Sequence, residues 1–403
     1  MHFDIFQQII SHRWLAYISE TATAVKQGRI IVNNEKLLYP NLILFVETAD
    51  HFIAEIYGST ESPLSLSSIK QRTTLTSAEY LFQFAVENLE QAQTSPKIQL
   101  GGQNQVIRGV FFRRSNDPAG FVKRFPFIEQ WNAGFAPTGG VGPTLYFTDS
   151  FRSAFFTNCI FLNQYEKIYR AKFCDHLIIV RKSLEEPELE AGLLRELILD
   201  NGTGTANLVG IKLCGGGNLE RLLLAGQFAN MFLMPRIRET TIGKFLENNT
   251  TLLKTAFGVQ EIISQPPLPW RAGNPDPNEE SIIPDFLLRH SDGFCDICDI
   301  KTTVDTRKSI TKGGHRRRRF IEVVHEGIAQ LANYEDYFSF PENAMAAKEK
   351  YGVSVRNPKL ILVVGSYDNA PFAEVSQASR QLKPNIEIID YDTLNAMFIY
   401  AEP

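Results

Sequence analysis

The segment SIIPDFLLRHSDGFCDICDIKTT, residues 281–303, decides the fold of the second half of this chain. Two apolar runs flank the turn sequence Ser-Asp-Gly at 291–293, a pattern that predicts a β-hairpin with strands at about 281–288 and 294–302. Successive strand residues point to opposite faces, so Asp299 and Lys301 share one face, with Asp285 roughly opposite Asp299. Cross-strand Cβ atoms lie about 4.5–5.5 Å apart, close enough for the two carboxylates to share a cation.

Two carboxylates and a lysine at one point of a hairpin suit a metal-dependent phosphodiesterase. Mg²⁺ prefers hard oxygen ligands, commonly one or two carboxylates completed by water and substrate phosphate. The ammonium group of Lys301 can hold the attacking water and stabilise charge that develops on the phosphate. Lys301 is the only lysine with an acidic residue two positions before it. So short a motif also arises by chance, and an ordinary hairpin with exposed charges stays open as the alternative.

The segments around the hairpin predict alternating helices and strands. Residues 320–338 are the clearest helix, because their apolar side chains recur at helical spacing. The other predicted elements are a helix at 235–257 broken near 248–250, strands at 259–264 and 359–366, a helix at 371–382, and a strand from 386 that runs into a last helix. The order is helix, three strands, helix, strand.

This order, with Pro284-Asp285 on the second strand and Asp299-x-Lys301 on the third, resembles the PD-(D/E)XK nuclease superfamily. Gln330 and Tyr334 extend the resemblance, since several branches of the superfamily carry Gln-x-x-x-Tyr on the following helix. With the KFLENN and PDFLL sequences, these motifs look like the C-terminal domain of Shedu, the bacterial anti-phage defence nucleases, over 235–403. Two departures are Asp299, where many relatives have Glu, and a long stretch between Lys301 and Gln330.

The resemblance implies an α/β chain whose restriction-endonuclease-like core has a mixed central sheet flanked by helices. It implies a DNA endonuclease that depends on Mg²⁺ or Mn²⁺ and acts on double-stranded phage DNA. It also implies a homo-oligomer, a dimer or tetramer, and a regulatory, sensing and oligomerisation role for residues 1–234. Two alternatives are a non-catalytic nucleic-acid-binding or sensing module on a decayed nuclease fold, and a restriction enzyme that needs a partner methyltransferase.

A third carboxylate on the first helix is implied by the same resemblance, and two candidates exist, Glu239 and Glu247. Residues advance about 100° per position on a helix, which places Glu239 on the apolar face with Ile242 and Leu246. Glu247 points away from that face and directly precedes the predicted break. We therefore favour Glu239, although either residue can instead be a surface charge.

Gln330 is expected to face the same pocket and to orient a phosphate or the attacking water. A solvated helix glutamine is the alternative for Gln330, and core packing is at least as good an explanation for Tyr334.

The stretch that follows the hairpin is strongly basic. Residues 301–319 contain eight Lys or Arg and one acidic residue, although the whole chain has a formal net charge of −4. Such a run beside a phosphodiesterase site predicts a clamp for the phosphate backbone of nucleic acid, and a solvated face or an acidic partner is the alternative. The candidate nucleic-acid-binding residues are Lys312, His315, Arg316, Arg317, Arg318 and Arg319.

Length and composition fit a globular protein of two or more domains, predicted at 1–234 and 235–403. The chain is 44% hydrophobic and 21% charged. No apolar stretch reaches the length of a membrane span, and the first residues lack the features of a signal peptide, so we expect a cytoplasmic protein. Five scattered cysteines argue against a disulfide framework, and Cys295 and Cys298 fall on opposite strand faces, which indicates packing rather than zinc binding.

The N-terminal region predicts an α+β arrangement, without a recognisable functional motif. The predicted strands are 28–34, 41–48, 51–58, 106–115, 144–148 and 174–183, and the predicted helices are 77–92, 188–201 and 218–234. The glycine-rich segments at 134–140 and 214–217 lack the lysine of a Walker A loop. The sequence thus offers no ATPase, protease or hydride-transfer chemistry.

Overall fold

The computed structural model describes residues 1–63, 65–82, 97–100, 105–108, 111–115, 144–147, 152–165, 168–197, 208–235, 237–276, 278–301, 309–314, 317–369 and 372–401. The chain forms two compact units. The first contains the described residues of Met1–Pro118, Ile128–Asn163 and Ala171–Asn230, and the second contains those of Gln164–Arg170 and Met231–Pro403.

The first unit is built on one large sheet. Its helices are α1 (Phe3–Lys26), α2 (Ser77–Phe82), α3 (Glu186–Glu196) and α4 (Gly217–Leu233), the last of which ends in the second unit. Its strands are β1 (Lys36–Leu38), β2 (Leu42–Glu47), β3 (His51–Tyr57), β4 (Ser67–Arg72), β5 (Lys97–Leu100), β6 (Gln105–Arg108), β7 (Phe111–Ser115), β8 (Thr144–Phe147), β9 (Ser153–Tyr165), β10 (Ile168–Arg181) and β11 (Lys212–Cys214). The large sheet has the order β4-β2-β3-β10-β9-β6, with β7 also paired to β9.

Helix α1 covers the core of this unit. Phe6, Ile10, Trp14 and Tyr17 recur every three or four residues and are all buried, so they form one continuous apolar stripe. The stripe packs with Phe45 and Phe52 of the sheet. The sequence analysis did not predict α1, although this spacing is a helical signal.

The second unit has a mixed sheet with helices on both faces. Its helices are α5 (Glu239–Asn248), α6 (Thr250–Phe257), α7 (Glu322–Ser339), α8 (Pro341–Tyr351), α9 (Phe372–Ser379) and α10 (Tyr391–Tyr400). Its strands are β12 (Glu261–Ser264), β13 (Leu268–Pro269), β14 (Ser281–Ile282), β15 (Phe286–Arg289), β16 (Cys295–Ile300), β17 (Thr311–Lys312), β18 (Arg319–Phe320), β19 (Leu360–Val363) and β20 (Ile386–Ile389).

The sheet order is β12-β15-β16-β19-β20. The pairs β12–β15 and β15–β16 are antiparallel, and β16–β19 and β19–β20 are parallel. The predicted α/β class with a mixed sheet flanked by helices is confirmed at this level. Helix α7 covers the face that carries Leu287 and Ile297, through Val324 and Leu331. Helix α5 lies on the face of Ile300, toward which Gly243 points.

The predicted strand at 281–288 is not continuous. The structure divides it into β14 and β15, and β14 pairs with β13 in a separate two-stranded sheet. Pro284 lies in the gap, has no N–H to donate to a ladder and restricts the residue before it. Asp285 therefore lies in the connection just before β15, rather than inside a strand.

The predicted strand at 28–34 is wrong, because these residues form turns after α1. Gly28 and Asn33 have positive φ values of 70° and 42°, which an extended strand does not allow. In the segment predicted as a strand at 106–115, the described residues form β6 and β7. Of the helix predicted at 77–92, residues beyond 82 lie outside the described part of the chain. Helix α8 and strand β9 were not predicted.

All five cysteines are buried and free. Within the described residues, no helix combines the length and the apolar character that crossing a membrane requires.

Candidate functional site

The site begins with the hairpin of β15 and β16. Four residue pairs, from Phe286↔Cys298 to Arg289↔Cys295, join the strands in antiparallel register. The turn closes through a hydrogen bond of 2.9 Å from the His290 N–H to the Phe294 carbonyl. Gly293 takes a positive φ of 85° in this turn, a conformation that glycine adopts without strain.

This register brings the two acidic residues together. Asp285 lies one position beyond the Phe286↔Cys298 pair and therefore opposite Asp299. A carboxylate oxygen of Asp285 accepts a hydrogen bond of 3.0 Å from the Ile300 N–H, which fixes it across the end of the hairpin. Burial, reinforced by the neighbouring Asp285, raises the pKa of Asp299 to about 8.

Lys301 completes this group immediately after β16. Its Nζ lies 2.7 Å from Oδ2 of Asp299, and its backbone N–H donates to the Val363 carbonyl at 2.9 Å. Burial opposes the charge of Lys301, but the neighbouring carboxylates outweigh burial and raise its pKa above the ordinary value. The residue is buried, so its ammonium group stays positive in a place from which water is largely excluded.

The structure places Glu239 in this group and Glu247 outside it. Glu239 is the first residue of α5, and its Oε1 lies 3.7 Å from Nζ of Lys301. Glu247 is exposed near the other end of α5. The buried residues of α5 include Ile242 and Leu246, so the helix presents the face with Glu239 to the rest of the unit.

Gln330 and Tyr334 lie one turn apart on α7. Gln330 is exposed, and the structure places its side chain in solvent rather than inside a pocket. Tyr334 is buried in the core and donates a hydrogen bond of 3.2 Å to the Ile283 carbonyl, just before Asp285. Burial, followed by the charges of Asp299 and Asp285, raises the pKa of the Tyr334 hydroxyl.

Within the described residues of the basic segment, β17 and β18 form a small hairpin. Lys312 pairs directly with Arg319, and both are exposed, as is Arg317 in the turn. Arg318 differs, because its guanidinium lies 2.8 Å from Oε1 of Glu374 on α9. His315 and Arg316, two of the predicted nucleic-acid-binding residues, lie outside the described residues.

The donor set around Lys301 has the chemistry that a divalent cation prefers. Asp285, Asp299 and Glu239 supply hard carboxylate oxygens. Burial, and then the charge of Asp285, raises the pKa of Asp299 in this group. In the described part of the chain, no group of three His, Cys, Asp or Glu side chains is arranged to hold a metal ion. Two carboxylates with water and phosphate are nevertheless sufficient for Mg²⁺. The residues fit such an ion as a two-carboxylate site.

A family match covers the part of the chain that contains this site. Residues 237–395 match the family model described as Shedu protein SduA, C-terminal. This region is therefore similar to the C-terminal part of SduA. The match supports a protein of the Shedu SduA type. It covers Glu239, Asp285, Asp299 and Lys301, and a comparison with curated proteins found no match.

Two residues of this SduA-like region contact the site and were not predicted from the sequence. The Tyr391 hydroxyl donates to the Lys301 carbonyl at 2.6 Å. Gly327 of α7 faces Lys301, since a Cβ there would lie 3.3 Å from Cε of Lys301 and 2.8 Å from Leu362. A glycine inside a helix is a sequence signal for such a close approach. Tyr391 gives no comparable signal, because the contact joins residues 90 positions apart.

Proposed function

We propose that this chain is a divalent-metal-dependent DNA endonuclease that acts in bacterial anti-phage defence. The observation that carries the proposal is the group of Asp285, Asp299 and Lys301 at one end of a β-hairpin, with Glu239 at 3.7 Å from the lysine. The group lies inside the region that matches the SduA C-terminal family. The defence role rests on that match.

Lys301 would stabilise charge rather than accept a proton. Its raised pKa keeps the ammonium group charged at neutral pH, so it can donate hydrogen bonds to a phosphate oxygen or to the attacking water. Its low exposure strengthens each of these interactions, because little water competes for the donor. The contact between Nζ of Lys301 and Oδ2 of Asp299, at 2.7 Å, holds the ammonium group beside the acidic side chains.

The carboxylates would hold the cation. Asp285 and Asp299 are the proposed ligands of Mg²⁺ or Mn²⁺, and Glu239 is the candidate third acid. A bound divalent ion supplies Lewis acidity at the phosphate and lowers the pKa of a coordinated water. The hydrogen bond from the Ile300 N–H keeps the Asp285 carboxylate oriented toward Asp299, so the ligands are preorganised by the hairpin itself. Gln330 is exposed, and in this proposal it would contact the substrate at the edge of the site.

The β17–β18 hairpin would bind the DNA backbone. Lys312 and Arg319 face each other across the two strands, and like charges in this position destabilise a hairpin. A phosphate between them would relieve the repulsion, and each neutralised phosphate adds to the salt dependence of binding. Arg317 adds a third exposed cation. The sequence also proposes His315 and Arg316 as DNA-binding residues, and both lie outside the described residues.

The deciding experiment compares wild type with Lys301→Ala on linear and circular DNA, with Mg²⁺ or with EDTA. We expect wild type to cut only with Mg²⁺, and Lys301→Ala to cut at least about a hundredfold more slowly. Lys348→Ala is the matched control, because Lys348 is exposed on α8 away from the group. Equal cutting by wild type and Lys301→Ala would exclude this catalytic role.

A second candidate function is a non-catalytic nucleic-acid-binding or sensing module. It is favoured by the lack of a three-ligand metal group among the described residues. In that case wild type would bind DNA with a steep salt dependence and leave it uncut under all metal conditions.

A homo-oligomer in the cytoplasm, dimeric or tetrameric, is part of the main proposal and rests on the family resemblance. Light scattering of the full chain tests the oligomeric state.

A further inference from the structure

Lys301 is held at both of its peptide groups. Its N–H donates to the Val363 carbonyl of β19 at 2.9 Å, which ends the β16 ladder. Its carbonyl accepts a buried hydrogen bond of 2.6 Å from the Tyr391 hydroxyl. The direction in which the Lys301 side chain leaves the sheet depends on these two bonds, because they fix the backbone on either side of its Cα.

Tyr391 is itself fixed by its surroundings. It is the first residue of α10, is fully buried, and its N–H donates to the Gly365 carbonyl at 3.0 Å. Its ring stacks on Phe232, with centroids 6.0 Å apart. Burial, followed by the charges of Glu239 and Asp285, raises the pKa of Tyr391 well above its ordinary value, so the hydroxyl remains a donor.

Arg170 secures the start of α10. Asp390, the N-cap, accepts hydrogen bonds from the Thr393 N–H and hydroxyl. The second carboxylate oxygen of Asp390 lies 2.6 Å from Nε of Arg170, and both side chains are 2% exposed. The same guanidinium donates to the carbonyls of Ser366 and Tyr367, at 3.1 and 2.9 Å. One buried cation therefore ties the segment after β19 to the helix that carries Tyr391.

We propose that Tyr391 is a positioning residue for Lys301, and that Arg170 acts on Lys301 through Asp390 and Tyr391. The proposal rests on the nuclease function proposed above. Tyr391 contacts no substrate in this scheme. Its hydroxyl sets the backbone from which the ammonium group reaches Asp299.

The test is Tyr391→Phe in the full chain, which removes the hydroxyl and keeps the ring. We expect kcat to fall about tenfold, as loss of one well-placed hydrogen bond implies, with KM for DNA within about twofold of wild type. We also expect faster hydrogen exchange of the Lys301 amide in metal-free protein. This second measurement does not depend on catalysis.

Tyr337→Phe is the matched control. Tyr337 is also fully buried in this unit, and its hydroxyl also donates to backbone carbonyls, those of Pro269 and Asn343 at 3.2 and 3.3 Å. We expect this variant to lose thermal stability without changing kcat or the exchange of the Lys301 amide. If both variants lose activity only in proportion to their loss of folded protein, the positioning role is wrong.

Arg170→Lys is the second variant, and it decides the question if Tyr391→Phe does not fold. It keeps a positive charge near Asp390 but cannot reproduce the three guanidinium hydrogen bonds. We expect kcat to fall about threefold, with Lys301 amide exchange accelerated in the same direction. Wild-type kcat and exchange in the variant would overturn the proposal.

The outcomes separate the two proposals. If wild type cuts DNA and Lys301→Ala does not, unchanged behaviour of Tyr391→Phe removes the positioning role alone. If wild type never cuts DNA, the nuclease proposal fails, and the exchange measurement still shows whether the hydroxyl fixes the Lys301 backbone.

Discussion

At the scale of single residues, the dominant feature is a buried carboxyl group placed beside another. Asp299 is 2% exposed and lies opposite Asp285, so its ionised form is disfavoured. Lys301 offsets part of that charge at 2.7 Å. The protein thus keeps a site that is electrostatically unfavourable by itself, which is common where a charged ligand is bound.

The raised pKa of Asp299 predicts that the stability of the metal-free protein depends on pH. The folded chain holds the Asp299 proton up to a pKa of about 8, whereas the unfolded chain releases it near the model-peptide value of 3.8. Between these values the folded state binds more protons, so the free energy of unfolding falls as pH rises. We expect the stability of Asp299→Asn relative to wild type to increase from pH 5 to pH 8, by at least about 1 kcal/mol.

Denaturant unfolding in EDTA at several pH values measures this difference. Asp276→Asn is the control for replacing a carboxyl by an amide at an exposed loop residue, and it should not reproduce the gain in stability expected of Asp299→Asn. A pH-independent difference for Asp299→Asn would show that this carboxyl titrates normally.

Gly327 predicts a steric effect on Lys301. A Cβ at this position would lie 2.8 Å from Cδ1 of Leu362 and 3.3 Å from Cε of Lys301, so both side chains must move. We expect Gly327→Ala to destabilise the protein by about 1–3 kcal/mol, despite the higher helix propensity of alanine, and to reduce DNA cutting.

Gly243→Ala provides the comparison for Gly327→Ala, in the same unfolding and cutting assays. Its Cβ would meet only Cδ1 of Ile300, at an ordinary contact distance of 3.4 Å. We expect this variant to be as stable as wild type or slightly more stable. Equal effects of the two substitutions would mean that Gly327 has no special relation to Lys301.

At the scale of elements, the β17–β18 hairpin carries two kinds of basic side chain. Three are exposed, and one forms an ion pair. Arg318 is held by Glu374, which also accepts hydrogen bonds from Ser309 and Thr311. Lys312, Arg317 and Arg319 remain exposed. The ion pair between Arg318 and Glu374 orients the hairpin, and the three exposed side chains are the ones available to phosphate.

The salt dependence of DNA binding distinguishes the exposed basic side chains from Arg318. We expect a Lys312→Ala, Arg317→Ala, Arg319→Ala variant to lower the slope of log affinity for DNA against log salt by about two to three. Arg318→Ala should change that slope by less than the triple variant does. Lys348→Ala, Lys350→Ala and Arg356→Ala remove three exposed cations elsewhere in the unit and should leave the slope unchanged.

Local elements were predictable from the sequence, and contacts between distant segments were not. The β15–β16 hairpin follows from alternation and a short turn, both of which involve neighbouring residues. The break at Pro284 was missed because the strand pattern continues through it. The exposed position of Gln330 depends on how α7 packs, which the spacing of its apolar residues does not determine. Tyr391 contacts Lys301 and Arg170 contacts Asp390 across long sequence separations, so neither residue leaves a local sequence pattern.

At the scale of the whole molecule, a bound cation should stabilise the fold. Mg²⁺ that binds the folded chain alone contributes about 2.7 kcal/mol at a hundred times its Kd, a rise in Tm of several degrees. We expect this rise to be larger at pH 8 than at pH 6, because Asp299 must lose its proton to bind. Differential scanning fluorimetry with and without Mg²⁺ measures it.

Three variants test which residues are responsible for the Mg²⁺-dependent rise in Tm. Asp299→Asn should abolish the Mg²⁺-dependent rise in Tm, and Glu239→Gln should reduce it. Glu247→Gln should behave as wild type, because Glu247 is exposed away from the group. A full response from Asp299→Asn would place the ion elsewhere in the protein.

The ion pair between Arg170 and Asp390 joins residues 220 positions apart in the sequence. The family match begins at residue 237, so it includes the aspartate and leaves out the arginine. Replacing Arg170 in the full chain by an uncharged residue would leave this buried carboxylate without its cation, at a penalty of about 3–5 kcal/mol. The second compact unit, which includes Gln164–Arg170, therefore extends beyond the matched region, and its stability depends on a cation from outside that region.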